Sequence, residues 1–211
     1  MNQPLSNLDA KLRDHMRFEL KKLQKESGIT TLYVTHDQIE ALALSDKIGV
    51  IKHGVMVQRG IPSEIYEYPE TQFVADFIGS TNFIKGEVTG PFELDGLYYA
   101  TTAVGIMLVR SQTKLKGNEK IIISIRPENI TLTLNKPSQD SNVYEAVVDT
   151  FIFLGESTGI QLKVNGTIIH TKIHPTAPVH EGGVVYLHFN PSKCIAIIEE
   201  DSIIPQKKVS S

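Results

Sequence analysis

His36 closes the run Ile29-Thr-Thr-Leu-Tyr-Val-Thr35, which is short, β-branched and apolar, and Asp37 opens the helical pattern after it. An imidazole at the C-terminal end of a strand stands where α/β proteins hold their ligands. The plainer alternative is a polar residue satisfied at a strand end. Asp9 lies near the start of an earlier helical pattern, where a carboxylate favours the helix dipole. His170, His174 and His180 form the one histidine cluster. Pro175 interrupts it and no cysteine or acidic residue lies between the first two, so it reads as ordinary hairpin histidines; a metal site needs more convergent ligands. Arg126 and Glu128 flank Pro127 and suit either an ion pair or anion contact at an interface, or a turn with solvated charges. No Ser-His-Asp or Cys-His arrangement stands out from spacing.

The elements that must position these residues fall into two halves. Ser6 or Asn7 can cap a helix running to about Glu26, with Leu8, Leu12, Met16, Leu20 and Leu23 at helical spacing and Gly28 as its stop. A buried strand over 29–35 follows, then a helix capped by Asp37 and running through Leu44. Two strands surround the turn His53-Gly54. Pro62 starts another helical turn, and Thr71 to Ile78 form a last helix that stops at Gly79. From about Asn82 the grammar changes to short apolar or alternating segments near 83–89, 97–101, 104–110, 120–126, 129–134, 143–154, 158–164, 167–173, 183–189 and 194–199. Turn residues such as Asp95-Gly96 and Asn165-Gly166 punctuate them, which predicts an all-β barrel or sandwich. Gly155 reads as a position needing positive φ. The expected division is residues 1–81, then 82–201, then a fraying tail over 202–211.

Composition bounds the function. With 21 Lys and Arg against 24 Asp and Glu there is no net positive field to favour nucleic acid. Aromatics are sparse and tryptophan is absent, which also disfavours nucleic-acid binding by base stacking. No apolar run reaches the ~18 residues of a membrane-spanning helix. The single cysteine, Cys194, excludes an internal disulfide framework and fits a reducing cytoplasm.

Several runs, in order, resemble one family. Pro4-Leu-Ser-Asn-Leu-Asp-Ala-Lys-Leu-Arg13 resembles the D-loop of ABC-transporter ATPases, and Leu32-Tyr-Val-Thr-His-Asp-Gln-Ile-Glu-Ala41 resembles their H-loop. Leu44-Ser-Asp46, Gln58-Arg-Gly-Ile-Pro62, Glu64-Ile-Tyr66 and Phe73-Val-Ala-Asp-Phe-Ile-Gly79 continue the match in the manner of importers of sugars, polyamines, iron or oxyanions. Ile123-Ser-Ile-Arg-Pro-Glu-Asn-Ile130 and Phe153-Leu-Gly-Glu-Ser-Thr158 resemble the transport-associated OB (TOBE) module of those subunits. The resemblance implies an α/β remnant of a P-loop NTPase domain followed by an all-β, OB-like barrel. It implies a switch histidine at His36 that contacts the γ-phosphate and the attacking water. Ser6 and Asp9 would lie at the nucleotide and dimer interface.

Two departures from the pattern set the expected activity. Asn2 and Gln3 occupy the places of the metal-binding Asp and catalytic Glu, and an amide can neither accept the proton nor supply the charge of a carboxylate. The sequence also has no Gly-rich P-loop with its lysine and no LSGGQ-type signature. The resemblance therefore implies ATP and Mg²⁺ as cofactors of the full subunit and none bound by this chain alone. The implied partners are the permease subunits and a second ATPase subunit paired through the β domain. The implied location is cytoplasmic, peripheral at the inner face of the membrane, with no nucleic acid and no membrane insertion. The competing class is a non-enzymatic regulatory or dimerisation module that binds a partner protein or a small anion. For a sheet stripped of its neighbours, the apolar segment 29–35 is expected to be exposed and to promote self-association.

Overall fold

The computed structural model describes residues 10–138 and 141–199, and the chain divides into two compact units between Ser80 and Thr81. In the first unit, α1 (Ala10–Ser27) and α2 (Gln38–Leu44) precede a hairpin of β1 (Ile48–Lys52) and β2 (Val55–Gly60). His53 and Gly54 turn that hairpin with φ of 51° and 80°, the paired left-handed residues that a tight two-residue connection requires. Two short helices, α3 (Pro62–Glu67) and α4 (Gln72–Phe77), complete the unit. Thr71 caps α4 through its side chain. Ile48, Val50, Ile65, Val74 and Ile78 form the core, with Leu42, Val57, Tyr66 and Phe73 packed around it. Gln58 fixes the turn between α3 and α4: its amide donates to Tyr68 O and accepts from Glu70 N, each at 3.0 Å.

The segment expected as a buried strand is different. Residues 29–35 form no strand; Val34 alone makes an isolated bridge. Ile29, Leu32 and Val34 are 63%, 81% and 57% exposed. The β-branched residues of this run therefore lie largely in water rather than in a buried sheet. Helix α1 departs from its apolar stripe as well. Its ties to the region of α2 are polar, with Lys21 Nζ donating to Leu44 O and Asp46 Oδ1, both at 2.8 Å. The Lys21 ammonium in turn holds the Asp46 carboxyl below the usual carboxylate range. Leu12 and Leu23 of that stripe lie exposed.

The second unit is all β. Five strands close into a barrel in the order β12-β5-β4-β3-β6, namely Ile195–Ile198, Gly105–Arg110, Leu97–Thr102, Asn82–Pro91 and Lys120–Ile125. Five more form an antiparallel sheet in the order β10-β9-β8-β11-β7, namely Thr167–Ile173, Thr158–Val164, Val143–Phe153, Val184–Phe189 and Ile130–Thr133. The two share one core, in which Phe189, Met107, Ile123, Leu162, Ile169 and Leu187 are fully buried. Gly86 sits where strands crowd: a Cβ there would lie 3.0 Å from Thr102 Cγ2 and 3.2 Å from Thr101 O.

Side-chain amides stitch barrel to sheet. Asn82 Oδ1 accepts from His170 N at 2.7 Å, while its Nδ2 donates to His170 O at 2.8 Å. It thereby acts as one more peptide along the free edge of β10. Asn142 does the same for β5, accepting from Leu108 N and donating to Leu108 O, both at 2.7 Å. Asn165 at the β9–β10 turn donates to Val104 O at 3.0 Å.

Candidate functional site

The chemistry-bearing segment of the first unit is the corner between the extended run and α2. Asp37 takes an extended conformation and caps α2, its Oδ1 accepting from Ile39 N at 2.9 Å and Glu40 N at 3.0 Å. Its other oxygen faces Arg17 Nη2 at 3.4 Å. Glu40 is only 2% exposed. Its Oε2 accepts from Tyr33 OH at 2.8 Å and from Thr35 Oγ1 at 2.9 Å, the partnering a buried carboxylate requires. Thr35 Oγ1 accepts in turn from Asp37 N at 2.9 Å. Burial, and then the bond to Glu40, push the Tyr33 phenol well above its usual range. His36 sits at the bend between these pinned residues, with its side chain exposed. Asn2, Gln3, Ser6 and Asp9 lie outside the described residues.

Of the β-unit candidates, Arg126 corrects the solvated-turn reading. It is buried, whereas Glu128 across Pro127 is exposed. Strand β10 of the sheet packs on this turn, where Pro127 O accepts from Thr171 Oγ1 at 2.8 Å. Gly155 has φ of 87°, the conformation its place in Leu-Gly-Glu called for. The three histidines have separate surroundings. His170 is fixed through its backbone by Asn82, His174 Nδ1 meets Thr176 Oγ1 at 2.8 Å, and the His180 ring lies against Gly183. Asp149 bridges Gln161 and Lys163 on neighbouring strand β9, and the Lys163 contact keeps its carboxyl below the usual range. Burial raises the Cys194 thiol to about 12.

Sequence reasoning missed the Tyr33–Glu40–Thr35 cluster. Its signal was a carboxylate four residues after a histidine, in the first turn of a helix with apolar flanks.

Part of the chain is similar in fold to a crystal structure of the cytoplasmic molybdate-binding protein ModG with molybdate bound. The TM-score is 0.50 at 13% identity, over 56% of this chain and 95% of that one, a likeness of fold alone. Residues 123–197 match the TOBE domain family, so the second unit carries a TOBE domain.

The whole chain is similar to longer proteins. It is 37% identical to the spermidine/putrescine import ATP-binding protein PotA of Trichormus variabilis, over 93% of this chain and 53% of that protein. It is 38% identical to the Fe(3+) ions import ATP-binding protein FbpC of Fusobacterium nucleatum, over 96% and 53%. It is 39% identical to the trehalose/maltose import ATP-binding protein MalK of Thermococcus litoralis, over 92% and 53%. The chain belongs with the C-terminal part of ABC-importer ATP-binding subunits. It spans about half the length of these relatives.

The family implies Mg-ATP, and the residues of this chain do not by themselves fit it. No Gly-x-x-x-x-Gly-Lys-Ser/Thr run occurs in the sequence to cradle phosphates with backbone amides. Among the described residues no three His, Cys, Asp or Glu side chains gather as metal ligands would.

Proposed function

We propose that this chain supplies the C-terminal part of the energy-coupling subunit of an ABC importer, in which ATP hydrolysis drives solute uptake in the full subunit. In this reading residues 1–81 are the end of the P-loop NTPase domain and 82–201 the regulatory β domain. His36 is the switch histidine that reports the γ-phosphate, and Ser6 and Asp9 lie in the D-loop facing the second subunit. Asn2 and Gln3 weaken or abolish the metal and general-base positions. The partners are permease subunits, which hold the protein at the inner face of the membrane, and a second ATPase subunit. The observation that carries the reading is His36 itself. It is exposed at the end of an extended apolar segment, at the same place in the motif order as the family's histidine.

The proposal assigns the phosphate cradle to parts of the full subunit beyond these residues, so this chain alone should not bind nucleotide. Calorimetric titration with Mg-ATP is expected to give no saturable heat up to millimolar concentration, and a micromolar dissociation constant overturns that assignment. One observation favours a second reading, a regulatory or dimerisation module that binds a partner protein. Phe151, Ile152, Phe153 and Leu154 lie exposed together at the tip of the β8–β9 hairpin, and an apolar patch of that kind marks an interaction surface.

A further inference from the structure

We infer that Glu40 is a positioning residue for His36: buried beneath the corner, it locks the backbone on both sides of the histidine and leaves the imidazole presented outward. The inference rests on the reading of His36 as the nucleotide-reporting side chain. Three hydrogen bonds run in series, with Tyr33 OH and Thr35 Oγ1 both donating to Glu40 Oε2 and Asp37 N donating to Thr35 Oγ1. Residues 33 and 35 precede His36, while 37 and 40 follow it. One carboxylate oxygen thus fastens the strand-like side of the corner to the first turn of α2. The cap made by Asp37 Oδ1 is a separate device, because it serves Ile39 N and Glu40 N. The helix can keep its cap while the corner loses its lock.

The chemistry explains why a carboxylate is used. A single oxygen that accepts two hydroxyl hydrogens must be electron-rich, and bonds to a charged acceptor are stronger than neutral ones. A buried carboxylate left without these donors costs more than the neutral groups would, so the corner resists opening. Among the described residues Arg17 and Asp37 are charged groups that also face it, 3.4 Å apart. An exposed histidine on an unpinned loop samples many orientations; one between two pinned residues loses little further freedom when it meets a ligand.

The test is solution NMR on the whole chain, following the His36 ring Cε1–H resonance and amide exchange at Asp37, Ala41 and Ser45. In Thr35→Val, exchange at the Asp37 amide should rise about tenfold, the loss of one hydrogen bond. The His36 ring signal should narrow toward that of a free peptide. Ala41 and Ser45, bonded within α2 to Asp37 O and Ala41 O, should keep their protection. Thr35→Ser retains the hydroxyl and should restore the wild-type ring signal. Glu40→Leu removes the acceptor shared by Tyr33 and Thr35. It should narrow the His36 ring signal in the same way, while the Asp37 N bond to Thr35 Oγ1 keeps its own exchange nearer wild type. Should it fail to fold, Tyr33→Phe, which removes one donor to the same carboxylate, takes its place, and a ring signal unchanged in both overturns the role of Glu40. An unchanged ring signal in Thr35→Val, or no rescue by serine, overturns the inference. A purely structural role for Glu40 would melt α2 along with the corner and so reads differently. None of these readouts requires nucleotide, so failure of the switch-histidine reading leaves this result standing and is scored separately.

Discussion

Replacing Asn142 by Gly should cost the β unit a large share of its stability, and the structure sets the size of the loss. Strand β12 meets β5 in register only at Ile195 and Arg110, so among the described residues no strand pairs with the outward peptide groups of Leu108. The Asn142 amide takes that place with two bonds of 2.7 Å in a buried setting. Its removal leaves one N–H and one C=O unsatisfied, at about 1–3 kcal/mol each, or about 2–6 kcal/mol together. Native domains hold only about 5–15 kcal/mol in total. For a unit of this size the melting temperature should fall by roughly 8–24 °C. Glycine is the informative substitution because Asn142 has φ of 53°; alanine would add about 1 kcal/mol of backbone strain and blur the result. Asn142→Asp keeps one acceptor but sets a carboxylate against Leu108 O, so it should be at least as damaging at neutral pH and partly recover where the acid protonates. Differential scanning calorimetry measures the loss, with amide exchange in β5 and β12 assigning the transition. A shift below about 2 °C for the glycine variant would refute the reasoning.

Two further outcomes are expected. Cys194 should resist thiol reagents in the folded protein and react at once in denaturant, as reagent uptake would show. Because burial raises its pKa from 9.0 to about 12, the folded state favours the protonated thiol. The stability this gives is fully present below about pH 9 and is lost as pH rises toward 12; a Cys194→Ala variant should have a flatter alkaline melting profile. The chain should also self-associate through 29–35, so that Leu32→Lys or Val34→Lys shifts sedimentation toward monomer. If Phe153→Lys does so instead, the β8–β9 hairpin is the contact and the module reading gains; a wild-type monomer at all concentrations removes both.

The strands of the β unit were legible because each is bounded by residues with a local reason to turn. Asn165 and Gly166, with φ of 46° and 81°, announce a hairpin from two letters. The asparagine stitches were not legible. Asn82 and His170 stand 88 positions apart, and nothing about an isolated Asn says which backbone it will imitate. Arg126 stayed open between an interface charge and a solvated turn for a related reason, since nothing local shows that β10 packs on the turn after it. The run 29–35 shows the converse: its side chains favour a buried strand, yet Ile29, Leu32 and Val34 lie exposed. His36 was legible as a position, and its support was not, because the Glu40 carboxylate is burdened only after the chain bends back on Tyr33 and Thr35.

The most direct test of His36 as a nucleotide-reporting residue is its ring resonance during titration with Mg-ATP, recorded twice. One titration uses this chain alone, and the other uses it mixed with the part of the Trichormus variabilis relative that it does not cover. The expected result is no change for the chain alone and a saturable shift in the mixture, absent from the spectrum of a His36→Ala control. A shift with the chain alone, or a mixture that binds Mg-ATP while the His36 signal stays still, would contradict it.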